Sequence, residues 1–125
     1  MDVRKVLLGL ALSLILGNGM AVADYDSAYS AYKAKDYKTA FRKMLPLAEK
    51  GNLDAQFYIA AMYYDGRGIK KDRSTSVLWL TKVAIRDDMY AQALLADRYF
   101  FGTGIENDDK TAVMWYTKAA EQGDA

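Results

Sequence analysis

Two glycine pairs are the first residues in the chain whose spacing suggests chemistry. Gly66 and Gly68 are followed by an isoleucine, and so are Gly102 and Gly104, which lie 36 residues further on. Such loops bind phosphate when a third glycine opens a helix, or when Gly-Lys-Ser/Thr follows. The continuations here are Gly-Ile-Lys-Lys and Gly-Ile-Glu-Asn, and neither fits. The pairs are therefore interpreted as turns between helices, with a phosphate loop as the minor alternative.

Side chains for covalent or acid–base catalysis are scarce. The chain contains no histidine and no cysteine, which excludes Ser-His-Asp arrangements, thiolate metal sites and disulfides. A serine–lysine pair is conceivable, because Ser74 and Ser76 have Lys70, Lys71 and Lys82 within reach along the chain. However, Ser76 occupies a position that is alanine in the following unit, so helix packing explains it better. The sequence therefore predicts that the protein is not an enzyme.

Metal, cofactor and nucleic-acid binding are not indicated either. The acidic run at 106–109 lacks the alternating ligands and closing glutamate of a calcium loop, so helix capping is the preferred interpretation. The net charge is only +1, from 17 basic and 16 acidic residues. Nucleic-acid binders usually carry a basic excess or stripe. No cofactor, metal or nucleic-acid partner is predicted.

The strongest signal in the chain is an internal repeat with a period of 36 residues. Matching pairs include Ala55 with Ala91 and Trp79 with Trp115, and a worn third copy can be traced before residue 53. Repeats of this length are typical of solenoids, in which each unit buries an apolar face against its neighbour. The repetition is therefore attributed to packing rather than to a duplicated reaction site.

Each unit has the pattern of two helices. Ala55, Ile59 and Tyr63 recur at a spacing of four and form one apolar stripe. Gly66 can adopt the left-handed conformation that ends a helix. Asp72 then precedes the second apolar run, as an N-cap does, and Asp36 and Asp108 do the same in the other copies. The sequence predicts an all-α fold made of about three antiparallel helix hairpins.

These residues resemble the Sel-one-like repeat family, which is related to the tetratricopeptide repeats. The family pattern is carried by Ala91, Leu95, Ala96, Tyr99, Gly102, Gly104, Ile105, Asp108, Ala112, Trp115, Tyr116, Lys118, Ala119, Ala120 and Gly123. The resemblance implies an α-solenoid that forms a right-handed superhelix. It also implies an adaptor or scaffold, since members of the family have these roles. Many bacterial members are exported and act in signalling, envelope assembly or host contact. Some cysteine-rich relatives are associated with β-lactamase activity or β-lactam binding.

The first 23 residues are interpreted as a signal peptide. Arg4 and Lys5 precede the apolar stretch 6–17, and Ala21 and Ala23 fit the small-x-small rule of a cleavage site. The alternative is a membrane anchor, but the apolar stretch is shorter than the ~20 residues that a spanning helix needs. We expect cleavage near Ala23, export to the periplasm or secretion, and no stable membrane insertion afterwards. The repeat domain is then 24–125, with a degenerate hairpin at 24–52 and repeats at 53–88 and 89–124.

One flank of the first helix in each unit is the candidate binding surface. It carries Asp54, Phe57, Tyr58, Ala61, Tyr64 and Asp65 in one unit, and Tyr90, Ala93, Leu94, Asp97, Phe100 and Phe101 in the next. By similarity to the repeat superfamily, this flank lines a concave groove. Aromatic side chains are frequent in binding hot spots. The flank is therefore interpreted as a shallow, mildly acidic, aromatic groove that holds a peptide or protein segment. The alternative is that Tyr58, Tyr64 and Phe100 only pack between units.

The predicted function is therefore protein–protein interaction without catalysis, with an unidentified protein or peptide partner. Two alternatives are an envelope enzyme of the β-lactam-interacting kind and a purely structural subunit of a larger assembly. The last helix, around 113–120, raises a further question, because no polar capping helix follows it. Either it exposes an apolar strip that binds another copy or a partner, or a longer ancestor lost its end.

Overall fold

A computed structural model describes residues 24–123, and these form six helices and no strand. The helices are α1 (24–33), α2 (Tyr37–Glu49), α3 (Leu53–Asp65), α4 (Arg73–Ala84), α5 (Met89–Phe101) and α6 (Asp109–Gly123). The predicted signal peptide at 1–23 lies outside the described residues. No helix in the described part is long and apolar enough to cross a membrane.

The helices pack in chain order, as the repeat requires. α2 contacts α3, α3 contacts α4, α4 contacts α5, and α5 contacts α6. Two apolar clusters fill the space between them. One is centred on the buried side chains of Met44, Ile59 and Met62, and the other on Leu95 and Trp115. The predicted all-α solenoid of stacked helix hairpins is confirmed.

The predicted aspartate caps begin the second helix of each hairpin. Asp36, Asp72 and Asp108 precede α2, α4 and α6, and each accepts a hydrogen bond from the backbone N–H three residues on. The hydroxyls of Thr75 and Thr111 also donate to Asp72 and Asp108, at 2.8 and 2.7 Å. Hydrogen bonds from these threonines lower the pKa of both carboxyl groups. The caps satisfy backbone donors that the first helical turn leaves free.

The glycine pairs form turns, and the two glycines of each pair have different tasks. Gly66 and Gly102 end α3 and α5 in the left-handed conformation, with φ of 72° and 67°. Gly68 lies against the backbone carbonyl group of Tyr37, and Gly104 lies against that of Arg73. A Cβ atom at either position would come closer than 3.0 Å to the carbonyl oxygen. The second glycine therefore lets each hairpin approach the start of the previous unit's second helix.

A repeated glutamine links successive hairpins through buried hydrogen bonds. The Gln56 side-chain amide donates to the Ala48 carbonyl oxygen at 3.0 Å, and Gln92 donates to Ala84 at 3.1 Å. Ala48 and Ala84 lie in the last turns of α2 and α4, where carbonyl groups lack helical partners. These two glutamines are 36 residues apart, so they could have been recognised as a repeated position, although the sequence analysis did not single them out.

Candidate partner-binding groove

Two adjacent cavities open along the flank of α3 that the sequence singled out. The tyrosine pocket, of about 460 Å³, is lined by Tyr25, Tyr29, Tyr32, Asp54, Phe57, Tyr58 and Ala61. The arginine pocket, of about 310 Å³, is lined by Phe57, Ala60, Ala61, Tyr64, Asp65, Ser76, Leu80, Tyr90, Leu94 and Arg98. Phe57 and Ala61 belong to both, so the two pockets adjoin along α3, and together they are called the groove below.

Helical spacing on α1 assembles the tyrosine pocket. Tyr25, Tyr29 and Tyr32 are separated by four and three residues, which places them on one face of the helix. That face meets Tyr58 of α3, whose ring centroid lies 5.9 Å from that of Tyr29 and 4.9 Å from that of Tyr32. Both pairs have the edge-to-face geometry that aromatic rings prefer. The result is a cluster of four tyrosines at the junction of the first two hairpins.

Asp54 gives the lining of the tyrosine pocket a negative charge. Burial, and after it the charge of Asp54, raises the pKa of Tyr25 to about 12. Burial also raises the pKa of Tyr58, with its neighbour Tyr29 as the next cause. Both hydroxyls therefore remain protonated at neutral pH. Among the described residues that line this pocket, Asp54 is the one charged side chain.

Arg98 gives the second pocket the opposite character. Its guanidinium carbon lies 4.0 Å from the ring centroid of Tyr64, and that of Arg73 lies 4.5 Å from the same centroid. The Nε atom of Arg98 is buried and has no hydrogen-bond partner among residues 24–123. Asp65 lies in the same pocket, but its carboxylate is 4.0 Å from Arg67. Apolar walls come from Phe57, Leu80 and Leu94.

The structure brings together eight of the twelve predicted groove residues and leaves four elsewhere. Those in the two pockets are Asp54, Phe57, Tyr58, Ala61, Tyr64, Asp65, Tyr90 and Leu94. Asp97 instead accepts a hydrogen bond from the Tyr116 hydroxyl. Phe100 and Phe101 contact each other edge to face at 5.0 Å and line neither pocket. Ala93 also lines neither pocket, and Phe100 and Phe101 are exposed on α5.

The alternative interpretation, that the aromatic residues pack between units, also has support. Tyr58 contacts tyrosines of the preceding hairpin, and Tyr64 contacts Arg98 of the following one. Both tyrosines nevertheless remain partly exposed and line a pocket. Tyr58 and Tyr64 therefore have both roles, because each contacts a neighbouring hairpin and each also exposes part of its surface to solvent.

Seven residues that line the two pockets were not predicted as groove residues: Tyr25, Tyr29, Tyr32, Ala60, Ser76, Leu80 and Arg98. Tyr25, Tyr29 and Tyr32 could have been found from their helical spacing, but they lie in the worn first copy, where no repeat partner marks them. Arg98 stands 36 residues after Met62, which is fully buried in the core. The replacement of a core methionine by arginine could have identified Arg98. It marks a position at which one copy of the repeat has a buried apolar side chain and the next copy has a charged one.

The candidate reactive residues have structural partners instead. The Ser76 hydroxyl is buried and donates to the Ala60 carbonyl oxygen at 2.6 Å, while the Lys82 ammonium lies over the Trp79 ring. Serine therefore joins α4 to α3 where the next unit has alanine. In the acidic run, Asp108 caps α6. Within residues 24–123, no group of three or more acidic side chains could hold a metal ion.

The last hairpin exposes apolar side chains on α6. Val113 is 61% exposed, whereas Val77, its equivalent one repeat earlier, is 4% exposed. Val77 packs into the apolar cluster that also contains α5 residues Ala91 and Leu95. Val113 has no such helix over it among the described residues.

The stacked hairpins, the aspartate caps and the close glycine contacts define a helical repeat protein of the solenoid class. The sequence model of the Sel1 repeat matches residues 53–88 and 90–124. The chain belongs to the Sel1 repeat family. Repeats of this family generally mediate protein–protein interaction and are generally non-catalytic. Among curated protein sequences, none is significantly similar to this chain.

Solved structures with the same fold agree with this assignment. A Sel1 repeat protein from Oxalobacter formigenes is 35% identical, with a TM-score of 0.72 over 78% of this chain and 40% of its own. The protein c5321, a protective antigen present in uropathogenic Escherichia coli strains, is 32% identical, with a TM-score of 0.78 over 86% of this chain and 24% of its own.

Cysteine rich protein B of Helicobacter pylori shares the fold at 21% identity. Its TM-score is 0.62 over 67% of this chain and 63% of its own. The chain thus spans less than two thirds of the length of each of these three proteins.

Proposed function

We propose that the protein is an adaptor that binds a peptide segment of another protein along α3, without catalysing a reaction. The observation that carries the proposal is that the tyrosine and arginine pockets adjoin along α3 and share Phe57 and Ala61. Partly exposed aromatic side chains provide large contact areas at low conformational cost. The general role of the family in protein–protein interaction supports the same conclusion.

Export is part of the proposal. The basic, apolar and small-residue segments of residues 1–23 have the order of a secretory signal. Expression of the full gene in a Gram-negative host, followed by fractionation and N-terminal sequencing, tests this. A periplasmic product that begins at Asp24 is expected. A product that retains Met1 in the membrane fraction would contradict export with cleavage.

Selection from a library of linear peptides tests the binding function. The purified protein is immobilised, and the affinity of each selected peptide is then measured by fluorescence anisotropy. We expect Phe57→Ala and Tyr58→Ala each to weaken binding by at least about tenfold, as truncation of an aromatic hot spot does. Leu78→Ala is the matched control, because Leu78 is an exposed apolar residue on α4 that lines neither pocket. Equal affinities for all four proteins, or no selected peptide, would disprove the function.

The enzymatic alternative is checked by incubating the purified protein with nitrocefin. We expect no hydrolysis above the buffer rate, because the Ser76 hydroxyl is buried and donates to the Ala60 carbonyl oxygen. Turnover that is lost in Ser76→Ala but retained in Ser74→Ala would establish the alternative.

A further inference from the structure

We propose that the groove is selective for a peptide with two opposite charges, a basic side chain in the tyrosine pocket and an acidic side chain at Arg98. An apolar side chain between them would lie on Phe57 and Ala61. This inference rests on the proposed peptide-binding function and names the chemistry of the peptide. It follows from the different charged groups that the two pockets present.

The tyrosine pocket is suited to a lysine or arginine side chain. Tyrosine faces attract cations, and a carboxylate beside them adds a partner for the charge. The chain itself shows this contact at the pocket's edge, where the Lys33 ammonium lies 5.5 Å from the Tyr29 ring centroid. Asp54 is exposed and contributes the negative charge within the pocket. A basic side chain of a partner would meet both kinds of group together.

The arginine pocket is suited to a carboxylate. The Nε–H of Arg98 is buried and lacks a hydrogen-bond partner in the described part of the chain. The rest of the half-buried Arg98 side chain lines the pocket, so its guanidinium is open to a partner's carboxylate, and a charge-assisted bond of that kind is among the strongest that arginine forms. Asp65 carries the pocket's own negative charge, which Arg67 offsets from a distance of 4.0 Å. The Tyr64 ring holds the guanidinium plane from one side.

The register of α3 sets the distance between the two charges. Asp54 lies beside the tyrosine pocket, and Tyr64, which contacts Arg98, is ten residues further along the same helix. Ten residues of helix rise by about 15 Å. An extended peptide covers that distance in about five residues. The basic and acidic side chains are therefore expected to be about five positions apart.

Short labelled peptides with blocked termini test the charge selectivity. One contains a lysine and a glutamate about five residues apart with a central leucine, a second has the two charges exchanged, and a third has glutamine at both places. One of the charged peptides is expected to bind at least about tenfold more tightly than the neutral one, with an advantage that shrinks as salt is added. The two charged peptides should differ from each other, because the pockets are not equivalent.

Two variants assign each charge to its pocket. Arg98→Met introduces the residue found at the equivalent position 62, so the fold should tolerate it. It should remove the advantage of the glutamate over glutamine and keep that of the lysine. Asp54→Asn should do the reverse. Circular dichroism and thermal unfolding establish that both variants fold, and Arg98→Lys, which keeps the charge but loses Nε–H, serves as a second variant at the same position.

The outcomes separate this inference from the proposed function. If neither charged peptide binds more tightly than the neutral one, or if both variants leave the charge preference unchanged, the charge assignment is wrong. Library peptides that still lose affinity in Phe57→Ala would then preserve the adaptor function on its own. If no peptide binds at all, both conclusions are wrong.

Discussion

Gly104 lies directly against the carbonyl group of Arg73, and Gly68 has the same relation to Tyr37 one repeat earlier. We therefore expect Gly68→Ala and Gly104→Ala to destabilise the protein strongly. The added methyl group meets a backbone carbonyl that cannot move without shifting a helix, and the φ angles of 77° and 80° add strain. Urea unfolding should show a loss at least about 2 kcal/mol larger than that of a control glycine.

Gly51→Ala is that control. Gly51 also has a positive φ, of 98°, but a Cβ atom there would have nothing within 4 Å. Its cost should be limited to the backbone strain of about 1–2 kcal/mol. Equal losses for the three variants would show that the close approach between hairpins does not govern stability.

The two repeated glutamines should respond differently to replacement by methionine. Gln92 donates to Ala84 and accepts a hydrogen bond of 2.7 Å from Gln122, so Gln92→Met should cost about 1–3 kcal/mol of unfolding free energy. The Oε1 atom of Gln56 is buried without a partner in residues 24–123. Gln56→Met loses one hydrogen bond but also removes that unpaired acceptor, and its cost should be smaller. Urea unfolding of both variants measures the difference, and a larger loss at Gln56 would contradict this account.

Asp54→Asn should lower the pKa of Tyr25. Burial is the larger cause of its elevated pKa of about 12, so the variant's pKa should fall but stay above 10.0. An NMR titration that follows the tyrosine Cζ chemical shifts measures this. Asp26→Asn is the matched control, because Asp26 is the weakest of the contributing charges. A larger shift in Asp26→Asn than in Asp54→Asn would show that Asp54 is not the main negative charge acting on Tyr25.

The same elevated pKa predicts how stability depends on pH. Tyr25 binds its proton more tightly in the folded than in the unfolded chain, so its contribution is complete below pH 10.0 and is lost as the pH rises towards about 12. Urea midpoints measured across this range should fall more steeply in the wild type than in Tyr25→Phe. Parallel curves would show that Tyr25 does not titrate with folding.

Self-association through α6 remains a prediction of the sequence, and the exposed Val113 gives it a specific test. Light scattering over a range of protein concentrations should show a mass that increases with concentration, and Val113→Lys should abolish the increase. Leu78→Lys is the control, because Leu78 on α4 is similarly exposed, at 66% against 61%. A monomeric mass at all concentrations would rule out self-association.

Most of the fold could be predicted because the chain repeats itself. The helices, their aspartate caps and the turns at Gly66 and Gly102 each occur at positions that a second copy supports. The three α1 tyrosines of the tyrosine pocket were missed because the copy is worn there. Arg98 was missed for the opposite reason, since it differs from its counterpart Met62 and comparison of the units emphasises what they share. Residues that recur in two copies of the repeat allowed the architecture to be predicted. The α1 tyrosines and Arg98, which are proposed to determine specificity, do not recur.

The close contacts of Gly68 and Gly104 also determine where the solenoid can accept new sequence. The connections at 66–72 and 102–108 are pressed onto the preceding hairpin, so extra residues there would push neighbouring units apart. The connections at 50–52 and 85–88 lie at the other end of the helices, and the Cβ direction of Gly51 is open. An epitope tag or fluorophore grafted at 50–52 would therefore meet no close backbone contact of the kind that Gly68 makes, provided that the hydrogen bond of 2.7 Å from the Arg86 guanidinium to the Gly51 carbonyl oxygen is kept.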